Sequence, residues 1–149
     1  MGRSILAVIL GYVVMFLVVF LTFSGAYLAM GTEGAFQPGT YEPSTLWLVV
    51  SFVLAFIAAM AGGCTCIWIA KKMTPAYALA GLAMVLGLAM AGAMMMEPPG
   101  TRLTVRSGDV PNMEAMQNAR TPLWVALVNP FLGAAGVLLG ARLKGAPSA

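Results

Sequence analysis

The chain has 149 residues, of which 60% are hydrophobic and only 9% charged. Soluble domains carry about 25% charged residues, so composition excludes an ordinary water-soluble globule. The net charge of +3 gives no support for nucleic-acid binding, and the absence of histidine removes histidine-ligated haem, histidine zinc sites and histidine-dependent triads.

The few charges leave four long gaps: 29 residues between Arg3 and Glu33, 28 between Glu42 and Lys71, 24 between Lys72 and Glu97, and 21 between Arg120 and Arg142. About 20 apolar residues cross a hydrocarbon core of about 30 Å. The gaps therefore predict spans near 4–30, 44–70, 74–96 and 121–141, with outer loops 31–43 and 97–120, in one membrane domain covering 1–149. The expected fold class is all-α, an integral membrane antiparallel four-helix bundle. One set of span ends holds Arg3, Lys71, Lys72, Arg142 and Lys144 with no acidic residue. The other holds Arg102, Arg106 and Arg120 with Glu33, Glu42, Glu97, Asp109 and Glu114. The positive-inside rule then puts both termini in the cytoplasm. Trp47, Trp124, Tyr27 and Tyr41 fall at the outer boundary and Trp68 and Tyr77 at the inner one, as interfacial rings do.

Span one is bulky through Val13–Phe20 and suits lipid. Its run is longer than the hydrophobic part of a signal peptide despite the small residues Ser24-Gly25-Ala26. Gly2 is followed by Leu6 where myristoylation needs Ser or Thr. Tyr12 stands about 13 Å along the helix from Arg3, near the midplane, where a phenol calls for a partner inside the bundle. The first outer loop turns at Gly31, Gly34 and Pro38-Gly39, and Glu33 and Glu42 at its edges read as solvated charge.

Span two organises the chain. Small residues recur every fourth position at Ser51, Ala55, Ala59 and Gly63, with a second row at Ala58, Gly62 and Cys66. Such rows let helix backbones approach closely in lipid. The short link Lys71–Thr74 predicts that spans two and three are antiparallel neighbours, with Thr74 as cap and Pro75 first in the helix. Span three carries its own row, Ala83, Gly87 and Ala91, expected to meet that of span two. Pro98-Pro99-Gly100 stops it. Thr101–Arg106 alternates polar and apolar residues as a short strand or hairpin would, and Asn112 is placed to cap a short helix, Met113–Ala119. In span four, Asn129-Pro130 lies about 12 Å below the outer end. It frees the Ala126 carbonyl, with Asn129 as the local helper. Gly136 and Gly140 form a GxxxG face.

Cys64 and Cys66 lie two apart, pointing about 200° away from each other on a helix, and near the reducing cytoplasm. They read as packing residues. Of the methionines near the outer surface, Met94, Met95, Met96, Met113 and Met116, the three consecutive ones spread over about 200° on a helix, and the set reads as interfacial packing; no metal site, cofactor or catalytic residue is expected. No charged side chain lies within a span to carry a proton. The residues singled out are therefore Asn129, Pro130, Tyr12 and Ser51 for a helix break or pore, and Ala55, Ala59, Gly63, Ala83, Gly87, Ala91, Gly136 and Gly140 for helix packing. The first functional reading is a non-enzymatic accessory, assembly or oligomerising subunit in the cell membrane, in the style of a bacterial inner membrane. Its partners would be the lipid bilayer and a second copy or a larger membrane complex. The alternative is a small channel or transporter for a neutral or apolar solute. A membrane thiol oxidoreductase is the weaker third.

Overall fold

The computed structural model describes residues 2–98 and 103–145; Pro99, Gly100, Thr101 and Arg102 of the expected helix stop and strand lie outside them. The described residues form five helices: α1 Gly2–Ala35, α2 Thr45–Ala70, α3 Thr74–Met95, α4 Asn112–Asn118 and α5 Leu123–Leu143. All but α4 are long and apolar enough to cross a membrane. Their outward sides expose Phe16, Leu21, Val53, Val85 and Phe131 among other large apolar residues, a surface suited to lipid.

Local chemistry explains most helix ends. α1 outruns its expected limit because Gly31 adopts φ 68° and ψ 176°, a conformation open to a residue without Cβ, and one more helical turn follows. Ser44 caps α2: its hydroxyl accepts from Trp47 N–H at 3.0 Å and donates to the Gly34 carbonyl at 2.5 Å. Two expected caps are corrected. Met73 precedes α3 and Thr74 is already helical, with Pro75 in the first turn where its missing N–H costs nothing. Pro111 precedes α4, and Asn112 is its first residue. The Asn112 amide is used elsewhere, donating to Ser24 Oγ at 3.0 Å.

The packing order also departs from expectation. α2 lies against α1 and α5, and α3 lies chiefly against α5, so α2 and α3 are not the main neighbours despite the short link between them. Gly11 near the start of α1 meets Gly62 and Cys66 near the end of α2. Tyr27 near the end of α1 meets Trp47 at the start of α2. These two helices therefore run in opposite directions. α2 and α5 run in the same direction, since Phe52 pairs with Trp124, Ala59 with Gly136 and Met60 with Gly140. The reason is steric. A Cβ on Gly63 would fall on the Val137 carbonyl, and one on Gly140 on the Met60 carbonyl. The small row of α2 is thus matched by the glycines of α5, while Gly87 of α3 receives the Pro130 ring. A buried core of Cys66, Ile67, Leu79, Ala80, Val137 and Ala141 joins α2, α3 and α5 near the basic end.

Candidate functional site

At the opposite end the two loops form a folded cap. The Thr32–Ala35 turn after Gly31 buries Thr32, Ala35 and Phe36. Phe36 bridges Pro43, and Thr40 bridges Val105 of the second loop. The expected strand is reduced to that one bridge among the described residues, and its partner is the first loop. Rings stack edge-on in a chain: Phe23 with Trp47 at 5.9 Å, Trp47 with Tyr27 at 6.2 Å, Tyr27 with Phe36 at 6.3 Å and Phe36 with Tyr41 at 5.8 Å. Tyr27 and Tyr41, expected at the headgroup level, are buried beneath this cap. The Tyr27 hydroxyl donates to the Val110 carbonyl at 2.7 Å, and Tyr41 donates to Glu114 Oε1 at 2.8 Å. The bond to the Glu114 carboxylate raises the Tyr41 phenol above its ordinary value, since ionising it would set two anions in contact.

Arg106 is the clasp. It is only 4% exposed. Its Nη1 donates to the Gly108 carbonyl at 2.6 Å, its Nε to the Thr40 carbonyl at 3.3 Å and its Nη2 to Glu33 Oε1 at 2.8 Å. Its own N–H donates to the Gly39 carbonyl at 2.9 Å. A buried guanidinium is tolerated when its donors are met, and here two carbonyls and a carboxylate meet them. Sequence reading left Glu33 as solvated charge and gave Arg106 no role. The available signal was an arginine, the one basic residue in a 13-residue run from Leu103 to Ala115, on the side that holds all five acidic residues.

Beneath the cap lies a cavity of about 270 Å³ between α1, α2 and α4, walled by Phe16, Phe20, Phe23, Tyr27, Phe36, Trp47 and Met116. Ser24, Asn112 and Thr121 are the polar residues of its lining beside Tyr27 and Trp47. A second cavity of about 390 Å³ adjoins it, sharing Val19, Phe23 and Thr121, and continues down between α1, α3 and α5 past Ala55, Ala83, Gly87, Met90 and Ala91 to Pro130 and Gly133. The groove exists because α1 touches α3 near the basic end, Gly11 against Leu79, and small residues line the rest. Among the described residues no carboxylate, amine or thiol lines either space, and the pair accommodates an apolar shape.

The residues singled out from sequence divide. Ala55, Ala83, Gly87 and Ala91 border the groove, with Pro130. Ala59, Gly63, Gly136 and Gly140 are buried between α2 and α5. Asn129 edges the groove but is an exposed residue, and α5 continues through Pro130 as one helix. Tyr12 is exposed on the outside of α1, and Ser51 Oγ turns back to the Leu48 carbonyl at 2.8 Å. Tyr12, Ser51 and Asn129 therefore do not converge on a shared polar space. Cys64 Sγ donates to the Gly140 carbonyl and Cys66 Sγ to the Ala7 carbonyl, on opposite neighbours. Among the described residues no cluster of acidic, Cys or His side chains fits a metal ion. Compared with known protein families, with curated proteins and with solved structures, the chain matches none.

Proposed function

We propose that this protein is a four-span integral protein of the cell membrane, with both termini cytoplasmic and the cap outside, which holds a hydrophobic molecule of lipid type without chemically altering it. The observation that carries the reading is the pair of adjoining apolar cavities, running from beneath an aromatic cap to Pro130. Binding sites for small molecules are concave, mostly apolar and furnished with a few polar groups that set orientation; Ser24, Asn112 and Thr121 have that place here. From the channel or transporter reading it takes only the apolar solute; the polar lining of Tyr12, Ser51 and Asn129 expected for that reading does not form.

Gly133 supplies the test. A Cβ there meets nothing within 4 Å, so the side chain of Gly133→Leu starts into open space at a residue that lines the groove. Wild-type protein extracted in mild detergent is expected to retain one lipid per chain by native mass spectrometry, and Gly133→Leu to retain several-fold less. Gly81→Leu, at another open glycine but on the outer side of α3, is the control. Equal retention by Gly133→Leu and wild type would refute the reading.

A subunit of a larger assembly, or a homo-oligomer, is the second reading. Its small-residue rows are taken up inside the fold, against α1 and α5 and along the groove, so it now draws on the outer side of α3, whose Tyr77, Gly81, Leu82 and Val85 are exposed. The same spectra report subunit stoichiometry, and a bare monomer with no co-purifying protein counts against it.

A further inference from the structure

The end opposite the cap carries a second site, independent of the groove. α2 and α5 finish side by side there, and between them lies a pocket of about 250 Å³ lined by Ile67, Trp68, Lys71, Lys144 and Gly145. Two helix C-termini bring two partial negative charges together, which by themselves repel an anion. The side chains reverse that balance. Arg3, Lys71, Lys72, Arg142 and Lys144 gather at this end, Arg3 fastened by Nε to the Ile69 carbonyl at 2.6 Å, and all five acidic residues of the chain lie toward the cap.

Lys71 adds a second observation. It is the one non-glycine among the described residues with positive φ, at 54°, and it closes α2 by donating its N–H to the Ile67 carbonyl at 2.8 Å. Glycine holds this helix-ending conformation without strain and is the usual residue there. Lys71 holds it while its side chain lines the pocket beside it.

We propose that Lys71 and Lys144 bind the phosphate of an anionic phospholipid headgroup. The two ammonium groups supply the charge that a phosphodiester needs. Ile67 and the highly exposed Trp68 supply an apolar wall for the glycerol and upper acyl chain, as interfacial tryptophans do. That wall is what favours a lipid over free phosphate. Basic pockets between membrane helices on the cytoplasmic side have this chemistry.

The experiment uses the full-length protein in nanodiscs of phosphatidylglycerol and phosphatidylcholine, with native mass spectrometry of the lipid that stays bound. Wild type is expected to retain phosphatidylglycerol selectively. Each lysine hydrogen-bonded to the phosphate contributes a factor of about 5, so Lys71→Gln/Lys144→Gln is expected to lose retention by about 25-fold. Lys71→Gly removes the charge while relaxing the backbone, which guards against a folding defect, and is expected to lose about fivefold. Lys72→Gln subtracts the same charge at the same end without lining the pocket and is expected to change little. A loss with Lys72→Gln equal to that with Lys71→Gly would overturn the proposal by reducing it to general surface charge. Equal retention of phosphatidylcholine, or displacement of the lipid by millimolar inorganic phosphate, would overturn it as well. Gly133→Leu is expected to leave phosphatidylglycerol retention intact, so failure here and failure of the groove are separable.

Discussion

Truncating Arg106 is expected to open the cap and leave the helices standing. Arg106→Ala removes three side-chain hydrogen bonds at once. The two to the Gly108 and Thr40 carbonyls are inside the cap, and hydrogen bonds from a charged group contribute about 1.5–3 kcal/mol each. The third goes to Glu33, whose side chain is 70% exposed, and exposed ion pairs contribute about 0–1 kcal/mol. Taking the low end for the inner pair gives about 3 kcal/mol of local stability, or about a hundredfold in the opening equilibrium. Hydrogen exchange read by mass spectrometry measures that quantity segment by segment. Peptides covering 36–44 and 103–118 are expected to exchange about a hundredfold faster, while the interior of α2 and α5 keeps its protection. Glu33→Gln is expected to speed the same peptides by about fivefold at most. Arg106→Lys, which keeps the charge and loses the planar fork, falls between. The reasoning is refuted if Glu33→Gln matches Arg106→Ala, because the exposed ion pair and not the inner carbonyl bonds would then close the cap. Unchanged cap exchange in Arg106→Ala refutes it outright.

The α2–α5 seam and the cap tyrosine give two more expectations. Gly63→Ala puts a methyl group where the Val137 backbone stands, 2.8 Å from its carbonyl carbon and 3.0 Å from Ala141 N. Backbone cannot rotate aside, so the cost is at least the about 1–3 kcal/mol of an overpacked core. It is expected to appear as a clear drop in thermal midpoint in detergent, whereas Gly81→Ala, which meets nothing within 4 Å, leaves the midpoint unchanged or slightly raised. Tyr41 ionises above its ordinary value of 10.0. The folded cap thus favours the neutral phenol, its contribution is complete below pH 10 and it is lost as pH rises through the raised value. The phenolate absorbance that Tyr41→Phe removes is expected to titrate above 10.0, with cap exchange accelerating alongside it; a Tyr41 step at its ordinary value counts against the Glu114 bond.

The spans were legible because charge spacing reports them directly. Gaps of 21 to 29 uncharged residues admit few other readings; α2 and α3 fall within theirs, α1 runs past its gap at both ends, and α5 runs past its gap at the C-terminal end. Who packs against whom was not legible. A row such as Ala59 and Gly63 states that a backbone comes close, but carries no mark of which one, and the short link of 71–73 suggested α3 where the Gly136–Gly140 face of α5 took the place. The cap was misread for a different reason. Hydropathy treats Tyr27 at a membrane boundary as a headgroup anchor, and only the Gly31 turn, with Val110 brought over from the second loop, puts a roof above it. The alternation of Thr101–Arg106 set Leu103 and Val105 on one side without marking which side is buried. In the fold Leu103 and Val105 are 57% and 75% exposed, and Arg106 is buried. Alternation reports that two faces differ; at a membrane boundary, apolar residues have lipid to face as well as a core.

Glycine carries two opposite instructions on α5, and spacing does not separate them. At Gly136 a Cβ would stand 2.7 Å from that of Ala59 and 3.0 Å from the Phe56 carbonyl; the missing atom there lets α2 and α5 close. Three residues earlier, at Gly133, the same missing atom faces open space on the groove. One helix thus draws α2 tight on one side and holds a void open on the other, and Pro130, seated on Gly87, ties α3 to the same helix. A void flanked by such close contacts cannot collapse cheaply, because shrinking it means moving α5 away from Gly63. That coupling is what makes the groove a durable feature of the fold. It also gives the clean comparison: enlarging residue 136 is expected to lower thermal stability, while enlarging residue 133 is expected to leave stability and remove the bound lipid. If both substitutions act only on stability, the groove is unfilled packing and has no occupant.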